Sequence, residues 1–364
     1  MPYPDRFSTV RFKNPSCFRK ETGAALRHPS EKRRCGEQMG LLGLSLRAGN
    51  LVCADGSAAA TRLRAVLSEL PPSAPLVIML HGYRFTPDDP YRDPHRLIFA
   101  MEPERKHWKL VSWPRGLGFS GAGYRDGLAI GFAWPGSSAT GLGRFAIAHT
   151  GFADAYARAA TSGTALAGLL ERIADIAPTR KVDILAHSLG ARVALQAMRS
   201  SDVGNIGRVM LMGGAEFRET ALDCLANYRG APEIYNITAR SNLFYDHLFR
   251  RFAPGVGGPA LGEGLQTSQT RCVDIDLDCP RTGTALRQRG FPLERGDAAI
   301  CHWNFYLRRG ALPLYGAIFR QRHSFRPADL RRAFSVQEGA DLTWPEAVPP
   351  APLLPLPNGG KCTV

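Results

Sequence analysis

The sequence predicts an α/β fold in which a mostly parallel sheet is flanked by helices on both faces, as a three-layer sandwich. Short apolar runs alternate with longer segments of helical spacing, which is the pattern of βαβ units. The run PLVIML at 75–80 is apolar throughout, as expected for a strand that is buried on both faces. With 364 residues, of which 44% are hydrophobic, the chain can build one large core.

The elements can be assigned in order along the chain. Apolar runs bounded by turn-forming residues predict strands at 41–47, 51–53, 75–80, 109–113, 129–134, 182–185, 209–212 and 233–238. Helical spacing predicts helices at 58–70, 150–176, 189–199, 219–227 and 310–320. The first two strands flank Ala48-Gly49-Asn50 and are expected to form a hairpin. A glycine-rich surface loop is predicted at 250–270, followed by a half-exposed strand at 273–277, where apolar residues alternate with aspartates.

The two ends of the chain differ from its centre. Residues 1–38 contain nine basic and four acidic residues without periodicity, and we interpret them as a disordered or spurious extension that precedes Met39. The catalytic domain is expected at 39–335. Residues 336–364 are predicted to form a proline-rich tail.

Charge and cysteine content limit the classes of partner. The net charge is +14, but only seven of the 46 basic residues are lysines, and the arginines are spread along the chain rather than grouped in a stripe. We therefore expect no specific nucleic-acid partner, while weak association with anionic membranes stays open. The eight cysteines lack the short paired spacing of a zinc site, so we expect reduced thiols, no metal and no cofactor. No secretory signal or membrane span is recognisable, which favours a cytoplasmic location; the oligomeric state is not indicated.

The pentapeptide Ala186-His187-Ser188-Leu189-Gly190 has the form of a nucleophile elbow. A serine becomes a useful nucleophile when a sharp strand-to-helix turn exposes its hydroxyl beside backbone N–H groups and a base. The turn demands small residues two positions before and after the serine, and Ala186 and Gly190 meet that demand. A buried strand runs into the pentapeptide and an alanine-rich helix leaves it, so Ser188 is the candidate nucleophile.

A second motif, Leu80-His81-Gly82-Tyr83, follows the strand at 75–80. In elbow-bearing folds this loop supplies one half of the oxyanion hole. The backbone N–H groups of Tyr83 and Leu189 are therefore the candidate oxyanion donors. His81 is interpreted as a residue that shapes the loop rather than as a base.

The base and the acid must follow the nucleophile, because chain order in this kind of site is nucleophile, acid, base. His302 is the candidate base, with His323 as its rival, and His247 lies nearer the position of the acid. Asp246, after the strand at 233–238, is the candidate acid, because an ionised carboxylate would orient the imidazole and stabilise the imidazolium. Glu216 is the alternative acid. Asn242 stands where an acid could also have stood.

These motifs together resemble a largely uncharacterised group of bacterial α/β hydrolases with an Ala-His-Ser-x-Gly elbow. The resemblance covers roughly residues 39 to 325 and is carried by Leu80-His81-Gly82-Tyr83, Phe132-Ala133-Trp134-Pro135, the elbow, and Cys301-His302-Trp303. It implies an α/β-hydrolase fold and a Ser-Asp-His triad, which would be Ser188, Asp246 and His302. Cys301 and Asn242 depart from the pattern of the group, in which the residue before the histidine is often acidic.

The predicted function is hydrolysis of an ester-type bond through an acyl-enzyme, as in a carboxylesterase or lipase. The expected partner is a small-molecule ester or acyl substrate, and segments 85–103 and 253–264 are expected to shape its entrance. A thioesterase or acyltransferase would use the same residues. A ligand-binding protein on the hydrolase scaffold is the alternative from a different class, since a fold does not guarantee turnover.

Overall fold

The structure is a computed structural model, and it describes residues 40–335 except 105–106, 108, 138–145, 256 and 297. The predictions for residues 1–38 and 336–364 lie outside the described residues.

Within the described part, eight strands form a single sheet. In chain order they are β1 Leu41–Arg47, β2 Asn50–Cys53, β3 Leu76–Leu80, β4 Leu128–Ala133, β5 Val182–His187, β6 Ile206–Met212, β7 Glu233–Thr238 and β8 Cys272–Asp276. Their order across the sheet is β2-β1-β4-β3-β5-β6-β7-β8. Every neighbouring pair is parallel except β1 and β2, which pair antiparallel at one edge. The carboxyl ends of the parallel strands therefore lie along one edge of the sheet, where sites are usually built.

The α-helices of the described residues are α1 Ala59–Glu69, α2 Trp113–Gly116, α3 Ala146–Ile176, α4 Gly190–Ser200, α5 Arg218–Asn227, α6 Leu243–Phe252, α7 Pro280–Gln288, α8 Asn304–Leu307, α9 Ala311–Arg320 and α10 Pro327–Ser335. Single 3₁₀ turns lie at Tyr124–Asp126, Arg240–Asn242 and Leu261–Glu263. Among the described residues, no helix is both long and apolar enough to cross a lipid bilayer.

Two apolar cores lie on opposite faces of the sheet. Successive side chains of β3 point into different cores. Ile78 belongs to the core that packs against α1, α3, α4 and α5, whereas Val77 and Met79 belong to the core that packs against α7, α9 and α10. Strands buried on both faces need apolar residues at successive positions, which explains the uninterrupted run in β3. Each fully buried aliphatic side chain contributes roughly 1.5–3 kcal/mol. The predicted three-layer arrangement is confirmed.

The predicted hairpin is also confirmed, and its turn explains the sequence. Ala48 and Gly49 both have positive φ, 46° and 82°. This is the backbone of a type I′ turn, which matches the twist of a two-stranded hairpin. The other predicted strands and helices are confirmed with shifts of a few residues at their ends, apart from the two segments below.

The strand predicted at 109–113 is wrong. Trp113 begins α2 instead, where the Ser112 hydroxyl accepts a hydrogen bond from the Arg115 N–H at 3.2 Å and Pro114 occupies the first turn. Strand β4 is paired on both sides, with β1 and with β3, so this segment has no place beside it. Trp113 is fully buried, so the apolar run reflects burial rather than pairing, which periodicity cannot distinguish in a short segment.

The loop predicted at 250–270 begins later than expected. Helix α6, which the sequence did not predict, continues to Phe252. Beyond it the described residues of the segment are irregular except for the 3₁₀ turn at Leu261–Glu263 and a single β-bridge from Ala260 to Phe217. The buried side chains of α6, Asp246 and Phe249, stand three residues apart, which is a weak helical signal in a ten-residue segment.

Candidate active site

Ser188 occupies a sharp turn between β5 and α4 at the carboxyl edge of the sheet. Its φ is 55°, in the left-handed region that a non-glycine residue rarely adopts. Such a residue stores of order 1–3 kcal/mol of strain and persists only when its surroundings fix it. Here the Ser188 N–H donates to the Met212 carbonyl and the Ser188 carbonyl accepts from the Ala215 N–H, both at 3.0 Å. The loop after β6 thus holds the backbone of the elbow.

Two glycines allow the β3 loop to approach the elbow. A Cβ atom on Gly82 would lie 2.7 Å from the Cβ of Ser188, and one on Gly190 would lie 2.7 Å from the Leu80 carbonyl oxygen and 2.8 Å from that of His81. No side chain fits at either position without a shift of the backbone. The two motifs that the sequence singled out are therefore in direct contact.

The N–H groups of Tyr83 and Leu189 stand on either side of this contact. Neither donates to an acceptor among the described residues, whereas the next amide along the loop, that of Arg84, donates to the Gly136 carbonyl at 3.0 Å. Leu189 is fully buried. Tyr83 is half-buried. A buried amide without an acceptor is rare, and two unpaired amides beside a strained serine can bind an anionic oxygen.

His81 fixes the backbone of the β3 loop. Its Nδ1 donates to the Gly82 carbonyl at 2.9 Å, and its Nε2 accepts from the Trp134 N–H at 3.0 Å. The Trp134 indole N–H in turn donates to the His81 carbonyl at 3.0 Å, and the two rings stack at 5.2 Å. Burial lowers the pKa of His81 to about 3, so it stays neutral and holds this tautomer. This geometry agrees with the loop-shaping role expected from the sequence.

The candidate base, His302, lies against the residue that precedes the nucleophile. The centres of the His302 and His187 rings are 4.6 Å apart, and His187 Nε2 donates to the His302 carbonyl at 2.9 Å. On another side the Tyr245 ring stacks on His302 at 4.8 Å. Burial, followed by the charge of His187, lowers the pKa of His302 well below its usual value, so its imidazole is neutral near pH 7. Burial likewise lowers the pKa of His187 to about 4.

The partner of His302 is Asn242, and not Asp246 as the sequence analysis expected. His302 Nδ1 lies 2.6 Å from Asn242 Oδ1, and Asn242 Nδ2 donates to Asp246 Oδ1 at 2.9 Å. An amide oxygen can only accept, so Nδ1 carries the proton and Nε2 has a free lone pair. The direct contact expected between Asp246 and His302 is thus corrected to a chain of two hydrogen bonds through Asn242.

Asp246 is a buried carboxyl group with one unused oxygen. Its side chain faces Gly262, where a Cβ atom would clash with Oδ1, and its Oδ2 has no hydrogen-bond partner among the described residues. Burial raises the pKa of Asp246 to about 7, against the lowering effect of the hydrogen bond from Asn242. The charge of this carboxyl therefore changes near neutral pH.

The alternative residues of the sequence analysis lie elsewhere. Glu216 is buried, but its carboxylate accepts from the Tyr156 hydroxyl at 2.6 Å and pairs with Arg192 at 2.5 Å. His323 is exposed and contacts Arg326, and His247 lies on the exposed face of α6. None of the three has a hydrogen bond to His302 among the described contacts.

The comparison with protein families agrees with this architecture. Residues 58–210 match the model of a family described as "Alpha/beta hydrolase of unknown function (DUF900)". This region runs from α1 into β6 and includes both the β3 loop and the elbow. The match covers less than half of the chain, and it is consistent with the α/β-hydrolase fold that the sheet and its flanking helices show. A search of curated proteins finds no match.

The matched region ends before Asn242, Tyr245 and His302, the other residues of the candidate site. Sequence reasoning missed the parts that Asn242, Tyr245 and His187 play. The signal for Asn242 was its place four residues after β7, where the chain leaves the carboxyl edge. His187 and Tyr245 gave no signal of their own, because their contacts with His302 join distant segments. Among the described residues, no group of three or more His, Cys, Asp or Glu is arranged to hold a metal ion.

Proposed function

We propose that this protein is a serine hydrolase that cleaves an ester-type bond through an acyl-enzyme on Ser188. The observation that carries the proposal is the strained elbow, in which Ser188 with a φ of 55° touches Gly82. Beside it are the N–H groups of Tyr83 and Leu189, without acceptors among the described residues. Strain of this kind is maintained where it serves a reaction, and unpaired N–H groups serve an oxyanion.

The reaction begins with attack of the Ser188 Oγ on the ester carbonyl carbon. His302 Nε2 takes the hydroxyl proton, and the negative charge on the carbonyl oxygen is stabilised by the Tyr83 and Leu189 N–H groups. When the tetrahedral intermediate collapses, the C–O bond to the alcohol breaks and His302 returns the proton to the leaving oxygen. A water molecule then attacks the acyl-enzyme with His302 again as base, which releases the acid and restores Ser188.

Asn242 and Asp246 act on His302 in turn. The Asn242 amide oxygen holds the imidazole with its proton on Nδ1, which leaves the Nε2 lone pair available to accept a proton. Asp246 accepts from the Asn242 NH₂ group and so fixes which way the amide points. In this proposal the site is a Ser188-His302-Asn242 triad, and Asp246 is a positioning residue behind it.

The same residues would serve a thioesterase or an acyltransferase, in which the leaving group or the acceptor differs. Esters are the proposed substrates because Ser188 and His302 supply all that an alkoxide leaving group needs, namely a nucleophile and a proton donor. A panel of p-nitrophenyl esters and acyl-CoA thioesters separates these cases by the ratio of their kcat/KM values.

The experiment that tests the proposal is labelling of the purified protein with a fluorophosphonate probe. We expect covalent labelling at Ser188, lost in Ser188→Ala and strongly slowed in His302→Ala. Ser201→Ala and His247→Ala are matched controls, since Ser201 directly follows α4 and His247 lies on the exposed face of α6. A folded wild-type protein that is not labelled and hydrolyses no ester would overturn the proposal and favour a ligand-binding protein.

A further inference from the structure

Large exposed apolar side chains are concentrated beside His302. The described residues contain four such side chains: Tyr91, Leu243, Phe244 and Ile300. Leu243 (55% exposed) and Phe244 (50%) begin α6, directly after Asn242, and Ile300 (59%) stands two residues before His302. We call these three side chains the apolar rim.

The two segments that carry the rim lie side by side. The Cys301 N–H donates to the Ser241 carbonyl at 2.9 Å, and the Asn304 side chain donates to the Ser241 hydroxyl at 3.2 Å. Ile300 directly precedes Cys301 and Leu243 stands two residues after Ser241, so both lie close to this first bond. The three rim side chains thus stand on two adjoining segments at the edge of the candidate active site, unlike apolar residues scattered singly over a surface.

The outer face of α6 extends this surface with positive charge. The exposed residues of the helix are Leu243, Phe244, His247, Arg250 and Arg251, which share one face at helical spacing. The opposite face buries Asp246 and Phe249. The outer face is therefore apolar where α6 begins and basic where it ends, about 10 Å further along the axis.

Other cations surround the rim. Arg240, directly before the rim-bearing segment, and Arg84, whose charge acts on Tyr245, are both exposed. Arg84, Arg240 and Arg251 have no carboxylate partner among the described residues, whereas Arg250 pairs with Glu263 at 3.3 Å. The apolar rim thus lies among arginines, in a chain whose net charge is +14.

We propose that the apolar rim and its arginines dock the protein on an anionic lipid surface. Exposed leucine, phenylalanine and isoleucine side chains gain by insertion at the boundary of headgroups and acyl chains. Arginines around them bind phosphate and carboxylate groups of the lipids. A membrane without net charge or an apolar protein partner would offer these arginines no such binding. Since the rim borders Asn242 and His302, docking places the site at the interface, where an ester substrate dissolved in lipid is reached.

The experiment measures binding of the full chain to sedimented vesicles of phosphatidylcholine, with and without about one third phosphatidylserine. We expect binding to the anionic vesicles, weakened by salt. Binding should fall roughly tenfold or more in the rim variant Leu243→Ser/Phe244→Ser/Ile300→Ser and in the charge variant Arg240→Gln/Arg251→Gln. Ser188→Ala should bind as wild type does, which separates docking from hydrolysis.

Matched controls decide whether the surface itself is responsible. Tyr91→Ser removes an exposed aromatic ring outside the rim. Arg64→Gln/Arg229→Gln removes two exposed charges, one on α1 and one after α5. Both variants should bind vesicles as wild type does. Equal loss in the second control, or no loss in the rim variant, would overturn the proposal. So would a concentration-dependent dimer that the rim variant abolishes, because the occupant would then be a second copy. A rim variant that loses hydrolysis of a soluble ester but keeps vesicle binding would also overturn the proposal.

Discussion

At the scale of single residues, the orientation of His302 depends on a neutral partner. Asn242 Oδ1 accepts the Nδ1 proton at 2.6 Å but offers no full negative charge to an imidazolium. The nearest carboxylate on this path, that of Asp246, acts through the amide. The candidate base is thus held by a hydrogen bond while its pKa stays low, because burial opposes the charged form.

Substitution of Asn242 separates these two effects. Asn242→Ala removes the acceptor of the Nδ1 proton, and we expect kcat/KM to fall roughly 100-fold with little change in KM. Asn242→Asp places a carboxylate on the imidazole, which favours the charged form, so the acid limb of the pH profile of kcat/KM should move to higher pH. Asn227→Ala, an exposed change at the end of α5, is the control. An unchanged acid limb in Asn242→Asp would contradict the assigned contact.

Asp246 links activity to stability through its pKa of about 7, raised by burial. A carboxyl group that binds its proton more tightly when folded stabilises the fold below its unfolded pKa of about 4. That contribution is lost as pH rises to about 7. Asp246→Asn removes this loss, so its Tm should exceed that of wild type at pH 8 and approach it at pH 4. The difference is at most a few kcal/mol, at about 1.4 kcal/mol per pKa unit.

The same substitution should lower activity. Above pH 7 the ionised Asp246 orients Asn242 and favours the imidazolium that forms during the reaction. We expect Asp246→Asn to reduce kcat and to flatten the change of kcat near pH 7, measured with a soluble ester between pH 5 and 9. A variant that is more stable and equally active at pH 8 would show that Asp246 has no positioning role.

At the scale of elements, the site depends on the contact between the β3 loop and the elbow. The loop carries one of the proposed oxyanion donors and is attached to the end of β4 through His81 and Trp134, which exchange hydrogen bonds and stack. The elbow carries the other proposed donor. The distance between the two N–H groups is therefore set by the packing of two separate strands, and Gly82 is where they meet.

Gly82→Ala tests that contact. The new Cβ would lie 2.7 Å from the Ser188 Cβ, so the loop must move and the two N–H groups must separate. Loss of one oxyanion donor lowers kcat by roughly 10²–10³-fold, and we expect a fall of that order with retained far-UV circular dichroism. Gly168→Ala is the control: nothing lies within 4 Å of its Cβ position in α3, and alanine should add roughly 0.5–1 kcal/mol of stability there. A Gly82→Ala variant with full kcat would contradict the proposed oxyanion hole.

At the scale of the whole molecule, a buried charge network joins the sheet to the carboxyl-terminal helices. Arg208 in β6 is 1% exposed, pairs with Glu233 at 2.6 Å and donates to the carbonyls of Ile318 and Arg322. Arg322 in turn pairs with Asp183 of β5 at 2.5 Å. The network ties the end of α9 to the amino-terminal halves of the strands, away from Ser188.

Arg208→Met should therefore destabilise the fold without altering the chemistry. Removal of one partner from a buried pair costs roughly 3–5 kcal/mol, and here two carbonyls also lose their donor. We expect a clear fall in the urea midpoint and an unchanged kcat at temperatures where the variant is folded. Arg332→Met, which breaks an exposed pair with Asp329, should cost about 1 kcal/mol or less. Equal midpoints for the two variants would contradict the role of the network.

The sequence by itself determined the strands, most helices and the two motifs around Ser188. Uninterrupted apolar runs such as that of β3 reflect burial on both faces, and a positive φ at a strand-to-helix turn demands small neighbours. Both signals are local, so a linear pattern records them. The same logic failed at 109–113, because burial without strand pairing leaves the same apolar pattern.

Only the tertiary structure decided which side chain meets His302. Asn242 ends the 3₁₀ turn that follows β7, and Asp246 lies four residues later in α6. The Cys301 N–H holds the loop that carries His302 at Ser241, and the His302 ring bonds to the next residue, Asn242. Hydrogen bonds act over about 3 Å, and a sequence contains no distances between segments 60 residues apart. Packing therefore decided that Asn242 binds His302 directly and that Asp246 binds Asn242.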